Sequence, residues 1–356
     1  MKARWICLLF PLFLTGCLFS LNHPVMGPDG TAALFLDEDG TFGLFLETGT
    51  LHLLRETGLV PIPAATAGEL PAVLDWSPGG DEILFVSSET GEWLQPIAST
   101  LYRVHADPDA VPVVVLTSEA PILHAAFGLD GRIVILRLDD EGRGRLETLD
   151  PEIGRLDRVF DDVRGFRLSP SRETLTTLHV SDEPPVAMGA VMRWSLGVDN
   201  QETLARFVLN TPTAEMLAAV SDVVFWDADP TERWVALALY DEVLLEPLLD
   251  SEGPSLFLVD TEDDTVSRIA DLALGPSFSP DGKHLAYIAS EDGETGFVVL
   301  HDLDRGTSDR LPDTEAASTC FWLAPDRLGL TFEINEDRHR LVEVDLKTGS
   351  LQDLMD

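Results

Sequence analysis

Seven times along this chain an aromatic or apolar residue leads into a polar Pro/Asp/Gly turn and then a short apolar run. In order the copies read VMGPDGTAALFL, DWSPGGDEILFV, AFGLDGRIVIL, FRLSPSRETLTTL, FWDADPTERWVALAL, SFSPDGKHLAYIA and FWLAPDRLGLTF. Their anchors are Pro28, Pro78, Leu129, Pro170, Pro230, Pro280 and Pro325. They fall ~40–60 residues apart, the period of a repeat that builds one propeller blade. This spacing is the strongest constraint on the fold, because a unit of that size cannot bury its own apolar surface and has to stack on its neighbours.

Within each unit, Gly, Asp, Pro and Ser punctuate four short strand-like runs. In the sixth unit the run before the turn is followed by HLAYIAS, FVVLHDLD and SDRLP; in the first, TAALFL, TFGLFLE and TLHLLRE follow the turn. Helical periodicity is confined to TPTAEMLAAVSD, where Thr211 as N-cap and Pro212 at the first helical position predict a turn or two of helix. The expected fold is therefore all-β, a seven-bladed β-propeller of four-stranded blades over residues 26–356, with six and eight as the neighbouring blade counts. Four strands can be counted in both the first and the last unit, so closing the ring requires no exchanged strand.

The SPDG turn, its apolar strand and the later VVLHDLDRG segment resemble the WD40-like (PD40) repeat of TolB-type propellers, also seen in propellers of the dipeptidyl peptidase IV type. Units two and six, WSPGGDEILFV and FSPDGKHLAYIAS, carry the resemblance best. It implies a propeller and speaks hardly at all to activity. TolB-like proteins place an α/β domain before the propeller, and the peptidases follow theirs with a hydrolase domain bearing a GxSxG turn. Neither is expected here, since the first repeat begins a short tether after Cys17 and no GxSxG occurs.

The opening segment MKARWICLLFPLFLTGC sets Lys2 and Arg4 before an apolar run over residues 5–14, a secretory signal pattern too short for a comfortable membrane span. Its end, Leu14-Thr15-Gly16-Cys17, resembles the lipobox of bacterial lipoproteins. That resemblance implies a signal peptide over 1–16, lipidation at Cys17, and a tether over 17–25. The protein is then expected in the bacterial cell envelope, facing the periplasm or the exterior. Leu18, in place of the aspartate that retains lipoproteins at the inner membrane, favours the outer membrane. Each buried acyl methylene adds about 0.8 kcal/mol to such anchoring. With Cys7 in the signal and Cys17 lipidated, Cys320 is left alone, so no internal disulfide is expected. Its context, STCFWLAP, predicts a small buried hydrophobe.

Charge excludes other classes. The chain holds 24 Lys and Arg against 62 Asp and Glu, a formal net charge of −38. Such a surface repels nucleic acid and anionic lipid headgroups, so no nucleic-acid partner is expected and membrane attachment falls to the lipid at Cys17. Lysine occurs only at Lys2, Lys283 and Lys347. A salt-adapted or composition-biased proteome accounts for the acidity as well as a basic partner or bound cations would.

The aspartates at the turns, Asp29, Asp130, Asp281 and Asp326, could ring a channel as cation or partner ligands. Pro at the second position, Asp at the third and Gly at the fourth instead predict a type I turn, and the turn outweighs the ligand. The aromatics before the turns, Trp76, Phe127, Trp226, Phe278 and Trp322, are expected to fill the space between blades, with a sugar platform as the lesser reading. No cofactor is expected; the acidic clusters DEDG (37–40) and DTEDDT (260–265) leave room for a loosely bound divalent cation but lack a calcium-loop spacing. The histidines are scattered singly, without HExxH.

Long loops are the remaining candidates for recognition. Segments 89–100, 181–194, 210–222 and 241–254 are expected to open on the face opposite the Pro turns. Trp93, Met188, Met192, Leu244, Leu245, Leu248 and Leu249 would be their apolar anchors for a partner, unless they simply pack the loops onto the rim. The expected function is a lipid-anchored, non-enzymatic scaffold that binds other envelope proteins. The alternative is a lyase or glycan-active propeller, or another ligand-binding one, working through the channel and the acidic loops.

Overall fold

The computed structural model of the 356-residue chain describes residues 24–354, apart from 44–45, 56–57, 68–69, 91–95, 129–130, 140–142, 182–187, 196–200, 209–222, 241–253, 264, 292, 294 and 336–337. The signal segment, Cys17 and the helix expected at 211–222 lie outside the described residues.

Among the described residues the strands form seven four-stranded antiparallel sheets, each from four strands consecutive in the chain. Sheet I holds β1 (Val25–Met26), β2 (Ala32–Leu36), β3 (Gly49–Arg55) and β4 (Gly58–Ala67). Sheet II holds β5 (Ala72–Trp76), β6 (Glu82–Thr90), β7 (Pro96–His105) and β8 (Val113–Ser118). Sheet III holds β9 (Ile122–Phe127), β10 (Ile133–Leu138), β11 (Gly144–Asp150) and β12 (Arg155–Asp161). Sheet IV holds β13 (Val163–Leu168), β14 (Thr174–Ser181), β15 (Met188–Ser195) and β16 (Gln201–Val208). Sheet V holds β17 (Val223–Ala228), β18 (Trp234–Tyr240), β19 (Pro254–Asp260) and β20 (Thr265–Ala270). Sheet VI holds β21 (Ala273–Phe278), β22 (His284–Ser290), β23 (Gly296–Asp302) and β24 (Thr307–Arg310). Sheet VII holds β25 (Ala317–Ala324), β26 (Arg327–Asn335), β27 (Arg338–Asp345) and β28 (Ser350–Asp353).

Burial explains the composition of each strand. The second strand of a sheet is covered on both faces by the sheets beside it, so it reads as an unbroken apolar run: AALFL in β2, IVIL in β10 and LAYIA in β22 are buried throughout. The fourth strand lies outermost, and TSDR in β24 is exposed along its whole length. The core is therefore a set of seams between sheets rather than one central mass. Phe35 and Leu51 meet Trp76 and Phe85 between sheets I and II. Leu84 meets Phe127 between II and III, and Val134 meets Phe166 between III and IV. Leu256 meets Phe278 between V and VI, and Val298 meets Trp322 between VI and VII. Each large ring removes about 150–250 Å² from water, on the order of 4–6 kcal/mol of gross transfer free energy at about 25 cal/mol per Å².

The ring closes between sheets VII and I, where Phe321 and Leu341 pack with Leu34, Leu36 and Phe42. Among the described residues no strand is exchanged, because every sheet is completed by its own four strands. One expected strand is corrected here. None of the described residues of TFGLFLE (41–47) is in a strand; the third and fourth strands of sheet I are Gly49–Arg55 and Gly58–Ala67. The apolar side chains that imitated a strand serve packing instead. Phe42 enters the closing seam, Leu46 packs into the seam with sheet II, and the Phe42 carbonyl accepts a hydrogen bond from the His339 N–H at 3.0 Å.

Candidate functional site

The repeated turn joins the first and second strands of a sheet, at one end of the ring. In sheets I, II, IV, V and VI its fourth N–H donates to its first carbonyl at 2.8–3.1 Å: Gly30 to Gly27, Gly80 to Ser77, Arg172 to Ser169, Glu232 to Asp229, and Gly282 to Ser279. The fourth residue is left-handed in every one, with φ between 59° and 82°. That conformation suits glycine, and Arg172 and Glu232 adopt it despite their side chains. Where the first residue is serine it caps the turn: Ser279 Oγ donates to Asp281 at 2.7 Å and accepts the N–H groups of Lys283 and His284. Burial pushes the Asp281 carboxyl up, but the Ser279 hydroxyl and Lys283 outweigh it and hold the group below the usual carboxylate range. Asp29 accepts from the Thr31 N–H and hydroxyl, and Asp326 pairs with Lys347. These aspartates are bound to their own turns or neighbouring strands; Asp130 lies outside the described residues.

The innermost strand of each sheet has a strand partner on one side only, so its other backbone edge needs donors and acceptors from elsewhere. Side chains of neighbouring sheets supply them. Trp76 Nε1 donates to the Val25 carbonyl of sheet I at 2.8 Å, and Trp322 Nε1 to the Ser277 carbonyl of sheet VI at 2.9 Å. Asp75 accepts the Phe127 N–H of sheet III at 2.8 Å, and Asp227 accepts the Phe278 N–H of sheet VI at 2.9 Å. These two aspartates hold the same place in the repeat, three residues before the turn prolines Pro78 and Pro230.

Two arginines of sheet IV complete a charged belt. Arg172 reaches from its turn to sheets II and III: its guanidinium holds both oxygens of Asp75 and donates to the carbonyls of Trp76 at 2.8 Å and Phe127 at 2.7 Å. Arg167 Nε donates to Asp227 at 2.8 Å, and the Thr174 hydroxyl donates to Glu232 of sheet V at 2.8 Å. Sheets II to VI are thereby cross-linked at one end of the ring. Burial lifts the Asp75 carboxyl above the usual carboxylate range, opposed by the hydrogen bond and charge of Arg172 and by the Phe127 N–H. Both oxygens of Asp75 and both of Asp227 already accept cross-sheet bonds, so chemically the belt is a clamp on the ring.

The turn aromatics occupy the seams as the repeat predicts. Gly165 shows how tightly: a Cβ there would lie 2.0 Å from Trp226 Nε1, so the absence of a side chain lets the indole of sheet V lie against β13. Cys320 is a buried free thiol, pushed up to about 12 by burial. The acidic cluster at 260–263 is a capped turn in which Asp260 pairs with Arg233 at 2.8 Å and accepts the Glu262 N–H. Asp37 likewise accepts the N–H groups of Asp39 and Thr41 in its own turn. Among the described residues no group of three His, Cys, Asp or Glu side chains is arranged to hold a metal ion.

The expected recognition loops are only partly visible. Trp93, Leu244, Leu245, Leu248 and Leu249 lie outside the described residues, as does Cys17. Met188 and Met192 are corrected from loop to strand: both are in β15, opposite Ser181 and Thr177 of β14. The pairing of β14 with β15 runs on to Ser181 and Met188, which shortens the loop expected at 181–194, and β6 and β7 shorten the one at 89–100 in the same way. The belt of Asp75, Arg167, Arg172 and Asp227 was not anticipated. Its one signal in the sequence is the shared offset of Asp75 and Asp227 from their prolines.

No protein-family model and no curated protein matches the chain. Solved structures match in fold. The β-propeller domain of the Trilobed protease from Pyrococcus furiosus, described as having an open velcro topology, aligns with a TM-score of 0.57 at 13% identity, over 94% of this chain and 97% of that one. Puromycin hydrolase aligns with a TM-score of 0.58 at 15% identity, over 96% of this chain and 55% of that one. Oligogalacturonate lyase in complex with manganese aligns with a TM-score of 0.55 at 11% identity, over 94% of this chain and 85% of that one. At such identities the likeness establishes the fold: the chain is an all-β propeller with four-stranded blades.

Proposed function

We propose that the protein is a lipid-anchored β-propeller of the bacterial cell envelope, a rigid and non-enzymatic platform on which other envelope proteins assemble. The observation that carries the platform reading is the belt. The charged side chains at the turn end of the ring hold sheets II to VI to one another, which favours recognition through the rim and outer strands over chemistry at that end. The anchor rests on Leu14-Thr15-Gly16-Cys17 after the basic and apolar segments, and Leu18 favours the outer membrane.

Two experiments test the proposal. Mild crosslinking of intact membranes followed by affinity recovery should return a reproducible protein partner. Recovery of none, together with a sugar or divalent cation that raises the melting temperature, would favour the enzymatic or ligand-binding alternative. Cys17→Ala should release the protein from the membrane fraction and abolish acyl labelling; continued labelling would refute the anchor.

A further inference from the structure

The outermost strand of a propeller sheet presents a row of unpaired backbone donors and acceptors, and proteins blunt such edges with charge, proline, bulges or short strands. In this chain the outer strands follow that rule with one exception. β4 carries Pro61 and Pro63, β12 carries Arg155, Asp157, Arg158 and Asp161, and β16 carries Glu202 and Arg206. β20 carries Arg268, β24 Asp309 and Arg310, and β28 Asp353. β8 reads VVVLTS, with neither a charge nor a proline.

The exception is apolar as well as uncharged. Val113 is 56% exposed and Val114 54%, and Val111, just ahead of the strand, is 71% exposed. A bulge at Val115 interrupts the pairing with β7, but β12, β16 and β20 carry bulges too, so it does not stand in for the missing charge. The sheet order ends at β8, whose far side has no strand partner among the described residues. The charges lie instead at the ends of the strand: Asp107 and Asp109 are exposed before it and Glu119 after it.

We propose that β8 is a docking strand, extended by a segment of a partner polypeptide that adds as a fifth strand of sheet II. Backbone hydrogen bonds along β8 supply affinity, and side chains on the two faces of the partner's strand cover Val113 on one face of the sheet and Val114 on the other. The acidic residues at both ends call for basic residues flanking the partner's strand, in either chain direction. The same charge argues against a second copy as the occupant. Edge-to-edge pairing would bring like-charged ends together between two chains of net charge −38. The inference deepens the platform reading, on which it rests only for the partner's being a protein.

The test uses the purified protein and a fluorescent peptide of alternating valine and threonine with a lysine pair at each end. Anisotropy should show binding, and hydrogen exchange should show new protection confined to residues 113–118. Val114→Lys should weaken binding by at least about tenfold, equivalent to about 1.4 kcal/mol. Val266→Lys, at an exposed position of β20, should leave it unchanged. The proposal is overturned by equal binding to Val114→Lys, by protection elsewhere, or by equal binding of the same peptide with glutamate ends. A dimer in sedimentation velocity that Val114→Lys dissolves would also overturn it, by assigning the edge to a second copy. If membranes yield a protein partner while this peptide leaves β8 unprotected, the docking strand fails and the platform reading stands.

Discussion

Arg172 occupies a position where four other copies of the turn have glycine, at Gly30, Gly80, Gly131 and Gly282, and a left-handed backbone costs a residue with a side chain roughly 1–2 kcal/mol. Its cross-sheet contacts account for its presence there. The guanidinium neutralises Asp75 and satisfies two carbonyls on sheets II and III. Removing it strands a buried carboxylate, so Arg172→Ala should lose about 3–5 kcal/mol in urea unfolding. Arg172→Gly should lose about 1 kcal/mol less, because it relieves the backbone. The deficit should shrink on acidification: burial already lifts the Asp75 carboxyl, and a folded acid that holds its proton above the unfolded value is favoured as pH falls. Unfolding midpoints equal to the parent's would mean that the pair does not hold the ring. Nothing local in SPSRET announces this role, since the partners lie 45, 96 and 97 positions away.

At the scale of elements, the apolar runs that become second strands were legible because both their faces are buried, which leaves no polar position to break the pattern. HLAYIAS is the clearest case, buried over its five central residues. The same logic misreads TFGLFLE, whose hydrophobic pattern is as strand-like as any in the chain. Phe42 is buried there because it fills the seam between the last sheet and the first, a demand that no repeat-internal pattern encodes. Phe42→Ala should cost about 3–5 kcal/mol. Hydrogen exchange should rise first in sheets I and VII; a uniform rise across all sheets would show that the seam is no weaker than the others.

At the scale of the whole molecule, stability is distributed over seams, and two histidines, His301 within sheet VI and His339 at the closing seam, make it respond to acid. Burial lowers the His301 imidazole below its ordinary value, with Asp302 opposing, and burial lowers His339, whose Nδ1 finds no hydrogen-bond partner beside Phe42. For each, the unfolded chain takes up a proton at a pH where the folded ring does not, so stability is full above the ordinary histidine value and falls as pH drops below it. The slope is at most about 1.4 kcal/mol per pH unit per histidine. Urea midpoints should decline below about pH 6.5, and His339→Gln should flatten part of the decline. An unchanged slope in that variant would remove His339 from the account.

The repeat, its turn and the apolar runs are local: a Pro-restricted backbone, a left-handed fourth residue and alternation or continuity of hydrophobic side chains act within a few residues, so the amino-acid order alone determined an all-β ring of four-stranded units. It also determined the Asp281 turn, the burial of Cys320 and the aromatic residues of the seams. The belt, the closing seam and the unprotected edge of β8 depend on which sheets become neighbours. Arg172 acquires its meaning only when sheets II and III stand beside it. Phe42 does so when the last sheet meets the first, and Val113 and Val114 when β8 is left outermost with no strand across from it among the described residues. Those are distances between residues remote in sequence, and tertiary packing sets them.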